Sequence, residues 1–66
     1  MTAEDFREIL AALGLSQTGA AKLFRTNDRT VRRWASGADI PVAVQIALRL
    51  MIRHNITPAD AERLAA

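Results

Sequence analysis

The chain has 66 residues, half of them hydrophobic, a formal charge of +2 and no cysteine. That composition describes one small domain over residues 1–66 and excludes disorder, a disulfide framework and cysteine-based zinc fingers. Lys22, Arg25, Arg29, Arg32 and Arg33 crowd into one window whose only acid is Asp28, while Glu4, Asp5 and Glu8 gather near the start; such a separation aims a basic face at a polyanion.

A first helix is predicted over about Ala3 to Leu13. Thr2 and Asp5 have the spacing of a capping box, and Glu4 and Asp5 suit the positive end of the helix dipole. Phe6, Ile9, Leu10 and Leu13 repeat at i, i+3, i+4, i+7, a single apolar stripe. Gly14 ends the helix because it takes the left-handed conformation without steric cost, and Leu15 packs back over that end.

Ser16 is the expected N-cap of a second helix with Gln17 in its first turn. Ala20, Leu23 and Phe24 give this helix a buried side. Gly19 is out of place inside it, since glycine costs about 1 kcal/mol there relative to alanine. It reads either as local frustration or as a close approach of backbone to a neighbouring helix or a phosphate.

The turn Arg25-Thr26-Asn27 leads into a third helix, capped by Asn27 and running from Asp28 to about Ser36 before Gly37. Val31, Trp34 and Ala35 make its inner side. Arg29, Arg32, Arg33 and Ser36 make its outer side at i, i+3, i+4, i+7.

A fourth helix is predicted to begin near Pro41, placed in its first turn, and to end near His54-Asn55. Its apolar residues form two faces, Val44, Ala47, Leu48 and Met51 on one and Ala43, Ile46 and Leu50 on the other. That arc is wider than one core contact needs, so the helix is either central or meets a partner chain. Thr57-Pro58-Ala59-Asp60 reads as a second capping box opening a short fifth helix that ends near Leu64 and frays beyond it. The expected fold class is therefore all-α, a compact domain of four or five helices.

The most apolar stretch, Ile40 to Ile52, is broken by Gln45 and Arg49 and is too short to span a bilayer. The acidic start Met1–Asp5 is unlike the basic end of a signal peptide. No membrane association is expected, and the expected location is cytoplasmic, on the nucleoid. One histidine, no cysteine, no glycine-rich phosphate loop and no paired carboxylates leave no catalytic constellation, so no enzyme activity, metal or cofactor is expected. No small-molecule ligand is evident, and control by one is neither supported nor excluded. His54, alone near a helix C-terminus, reads as structural or solvent-exposed rather than as a metal ligand or base.

Leu15-Ser16-Gln17, then Ala21, Thr30-Val31, Arg33-Trp34 and Gly37, followed by Pro41 and its apolar helix, resemble the helix-turn-helix of Cro and phage-repressor type regulators over about Ala3 to Ile52. Pro41–Leu48 is also similar, over a short span, to small repressors that accompany anti-CRISPR genes on mobile elements. The family resemblance implies a DNA-binding domain that dimerises on operator DNA, with Gln17 bonding a phosphate and bracing a side chain of the third helix. Three positions depart from the family pattern. Arg25 stands where glycine or asparagine is usual in the turn, Thr26 replaces an apolar residue and Gly19 replaces a frequent glutamate.

The third helix has the equipment to read a major groove. Arg29 is the candidate for a bidentate guanine contact, Arg33 for a base or a phosphate and Arg32 for a phosphate, with Ser36 a further DNA-binding candidate on the same side. Asn27 can cap and touch the backbone. Asp28 can accept from a cytosine amine or, the preferred role, orient Arg29 or Arg32. Thr18 joins Gln17 as a phosphate contact, whereas Lys22 and Arg25 add field. Trp34 belongs to the core because it shares a side with Val31.

The resulting expectation is a sequence-specific regulator of double-stranded DNA, a homodimeric repressor on a palindromic operator. Ile46, Leu50 and Arg53, with the fifth helix, are assigned to the dimer contact. The alternative is a protein-interaction module, an antitoxin or adaptor, that uses the apolar face of helix 41–53.

Overall fold

The computed structural model describes all of residues 1–66 as five α-helices and no strand. They are α1 (Ala3–Leu13), α2 (Gln17–Leu23), α3 (Asp28–Ala35), α4 (Val42–Arg53) and α5 (Pro58–Ala65). The all-α class and the five elements agree with the pattern of caps and apolar stripes. Pro41 departs slightly from expectation: it occupies the N-cap of α4, with no side-chain cap bond, rather than the first helical turn.

Each of the first three helices starts on a polar side chain that satisfies an otherwise orphaned amide. Thr2 Oγ1 accepts from the Asp5 amide at 3.0 Å, and the Thr2 amide donates to Asp5 Oδ2 at 3.3 Å, completing the box. Ser16 Oγ accepts from Gly19 at 2.9 Å, and Asn27 Oδ1 from Thr30 at 2.8 Å. Thr57 Oγ1 does the same for Asp60 at the head of α5.

Four helix ends close in one way. The amides of Leu15, Thr26, Ala38 and Ile56 donate back to Leu10, Ala21, Arg33 and Met51, each at 2.9 Å. This is the Schellman closure, which requires a left-handed residue just before the donor. Gly14, Arg25, Gly37 and Asn55 supply it, all with positive φ. Glycine and asparagine are ordinary there. Arg25, at φ 55°, is not.

Gly19 occupies the cap-bonded position that Asp5, Thr30 and Asp60 fill in α1, α3 and α5. A Cβ built there would lie 3.2 Å from Ser16 Oγ and 3.3 Å from Leu15 Cδ2. The nearest groups are thus the cap hydroxyl and the leucine that covers the end of α1, a tight fit with the protein's own cap.

The core joins α1, α2, α3 and α4 through Phe6, Leu10, Ala20, Ala21, Val31, Trp34, Ala35, Ile40, Val44 and Leu48. Phe6, Val31 and Leu48 are fully enclosed, each worth about 1.5–3 kcal/mol in surface removed from water. Phe6 and Trp34 meet edge to face, with centroids 6.0 Å apart and planes at 88°. Gln45, the polar break in the apolar stretch, donates from Nε2 to the Ile40 carbonyl at 2.9 Å and pins the loop between α3 and α4.

Of the two apolar faces of α4, only one is buried. Val44, Leu48 and Met51 enter the core, while Ile46 is 54 % and Leu50 46 % exposed. Leu64 of α5 is 78 % exposed. Between α2, α4 and α5 lies a hollow lined entirely by apolar groups, among them Phe24, Leu50, Met51, Ile56 and Leu64. No helix is long and apolar enough to cross a membrane.

Candidate nucleic-acid interface

The inner residues of α3 fix which way its outer residues point. Val31, Trp34 and Ala35 are buried against α1 and α2, so the 3.6-residue repeat turns Arg29, Arg32, Arg33 and Ser36 to the surface. These four side chains alone line a shallow depression. Ser36 lies at the C-cap rather than inside the helix, and it remains exposed on the same side.

The three guanidinium groups on α3 are unpaired within the domain. Its two ion pairs are Arg25 with Glu62 and Arg63 with Asp60, both away from α3. Three neighbouring cations with no internal counterion form a local positive potential that an external anion relieves. Arg29 and Arg33 are four residues apart, about 6 Å along the helix axis.

Asp28 does not take the role assigned to it from sequence. It is not salt-bridged to Arg29 or Arg32; its Oδ2 accepts instead from Thr18 Oγ1 at 3.4 Å. The bond is long for a hydroxyl donor, and it spans the starts of α2 and α3. Thr18 therefore turns its hydroxyl to Asp28. Gln17 sits half-buried at the first position of α2, and Asn27 uses its side-chain oxygen on the cap of α3.

Arg25 also departs from expectation. Its Nη1 lies 3.1 and 3.2 Å from the two carboxylate oxygens of Glu62 and 3.0 Å from the Lys22 carbonyl. It is a tether from the α2–α3 turn to α5, so its charge does not add freely to the basic face. Lys22 is exposed without such a partner.

Arg7 was given no role by the sequence. It donates from α1 to the carbonyl of Ala35, the last residue of α3. The partners lie 28 positions apart, and no local spacing signals them.

The expected dimer residues are on the surface. Ile46, Leu50 and Arg53 share a face of α4 with Val42, and all four are exposed. His54 is exposed at the C-cap of α4, with no acidic or histidine cluster around it.

No family model, curated protein or solved structure matches this chain. The functional reading is therefore carried by the residues and their geometry.

Proposed function

We propose that this protein is a sequence-specific double-stranded DNA-binding transcriptional regulator that reads the major groove with α3 and acts as a homodimer. The observation that carries this reading is the outward row of Arg29, Arg32 and Arg33, none of them paired with a carboxylate of the domain. An α-helix with its side chains is about 10–12 Å across, a diameter that a major groove about 12 Å wide admits.

In this reading Arg29 and Arg33 reach base edges, and Arg32 and Ser36 meet the sugar–phosphate backbone. Gln17 and Asn27, at the starts of α2 and α3, add backbone contacts that set the register. A single recognition helix covers a short site. Two, related by a two-fold axis and about 34 Å apart, cover two half-sites on one face of the duplex. The exposed stripe Val42, Ile46, Leu50 on α4, with Leu64 on α5, is the surface assigned to that contact.

The same apolar stripe favours a second reading, a module that docks on another protein through α4. Selection from a pool of random duplexes separates the two. A recovered palindrome, bound by two copies of the chain per duplex with an affinity that drops steeply as salt rises, supports the regulator. Recovery of no sequence, with salt-independent or absent DNA affinity, overturns it.

A further inference from the structure

We infer that Arg7 is a positioning residue for α3. It holds the C-terminal end of the reading helix, and with it Arg33 and Ser36, at the angle at which the basic face meets DNA. This assignment rests on the DNA-reading function proposed above.

α3 has only two turns, and its two ends are held differently. At its start, Asn27 caps the Thr30 amide and Thr18 reaches Asp28. At its end, the amides of Ser36 and Ala38 fold onto the Arg33 carbonyl, and that of Gly37 onto Trp34. The carbonyl of Ala35 is left to a donor from elsewhere, and Arg7 is that donor. A cation at this position also faces the negative end of the helix dipole.

Arg7 follows Phe6 in α1, and Phe6 sets its ring edge to face against Trp34. Two successive residues of α1 thus grip two successive residues of α3, one pair in the core and one at the surface. The buried Val31, Trp34 and Ala35 fix the depth of the helix. The Arg7 bond adds a hold at its C-terminal end, on the last carbonyl of the helix. The side chains that swing if it is lost are Arg33 and Ser36, which flank Trp34 and Ala35 in the chain. Arg7 is itself exposed and meets no carboxylate, so nothing else in the domain explains where its guanidinium is held.

The test compares Arg7→Ala and Arg7→Lys with the unaltered protein on the selected duplex, on its single-base variants and on random duplex. Amide hydrogen exchange is followed in the free protein. The Ala variant is expected to lose about three- to tenfold in affinity for the selected duplex and distinctly less on random duplex, where only the Ser36 backbone contact is disturbed. Its loss of discrimination is concentrated at the base read by Arg33. The Ser36, Gly37 and Ala38 amides exchange faster in it, and Arg7→Lys restores most of both properties.

Equal losses on selected and random duplex with a smaller salt slope would make Arg7 a phosphate ligand and overturn the inference. A lower melting temperature with unchanged discrimination would make it merely structural and overturn it as well. Both outcomes require an unaltered protein that discriminates. If that protein shows no sequence preference, the regulator function itself has failed, which is a separate result.

Discussion

Arg25 and Glu62 join the turn between α2 and α3 to the last helix, with Nη1 3.1 Å from Oε1 across 37 positions of chain. The same arginine holds a left-handed backbone, φ 55°, at the Schellman end of α2. Its side chain and its backbone thus act in opposite directions. An exposed ion pair contributes about 0.2–1 kcal/mol, while a left-handed L-residue costs roughly 1–2 kcal/mol.

Arg25→Ala and Arg25→Gly both remove the ion pair, but only glycine relieves the backbone. The glycine variant is therefore expected to be the more stable of the two by about 1 kcal/mol. Urea midpoints at matched pH measure the difference. Equal midpoints would show that the turn does not hold Arg25 in the left-handed region.

Trp34 is the side chain on which the underside of α3 rests, 7 % exposed and edge to face with Phe6. Trp34→Ala is expected to cost about 3–5 kcal/mol. A chain of this length has a total stability of roughly 3–10 kcal/mol, so the variant should lose between about a third and all of it, read as a large drop in melting temperature or loss of the helical far-ultraviolet circular dichroism signal. Trp34→Phe keeps an aromatic ring beside Phe6 and should stay folded with a lowered midpoint. A Trp34→Ala protein whose melting temperature matches that of the unaltered protein would contradict the placement of the indole in the core.

Two capping aspartates connect stability to acid. Hydrogen bonds from the backbone and then the hydroxyl of Thr2 hold Asp5 below the usual aspartate value of 3.8. Asp60 is also lowered, chiefly by the Thr57 hydroxyl. Because the folded values are depressed, the unfolded chain binds more protons between the two. The caps contribute their full stability above the unfolded value, and it is lost as pH falls through the folded ones. The Asp5→Asn, Asp60→Asn double variant is therefore expected to show a flatter loss of melting temperature than the unaltered protein between about pH 5 and pH 2. Parallel curves would remove the caps from the acid response.

The proposed reading face makes unequal demands on its arginines. Arg29→Ala is expected to relax preference at one base position of each half-site by about 1–3 kcal/mol, with little change on random duplex. Arg32→Ala should weaken selected and random duplex alike and reduce the salt slope by about 1. Competition binding at several salt concentrations distinguishes them. Indistinguishable behaviour of the two variants would sink the division between base and backbone contacts.

The helices, their caps and the outward sense of α3 were legible in the chain itself, because each depends on residues within a turn or two of one another. Thr2 and Asp5 announce α1, Asn27 announces α3, and the alternation of Val31 and Trp34 with Arg29, Arg32 and Arg33 assigns its two sides. What tertiary structure alone decided are the long-range partners. Arg7 on Ala35 and Arg25 on Glu62 are separated by 28 and 37 positions, and Asp28 meets Thr18 rather than a neighbouring arginine. The exposure of Ile46 and Leu50 was likewise undecided until the packing of α4 showed which of its two apolar faces the core uses. Local hydrogen-bond and helical geometry is fixed by covalent spacing, whereas a guanidinium on a flexible stem takes whichever acceptor the assembled helices bring within its reach.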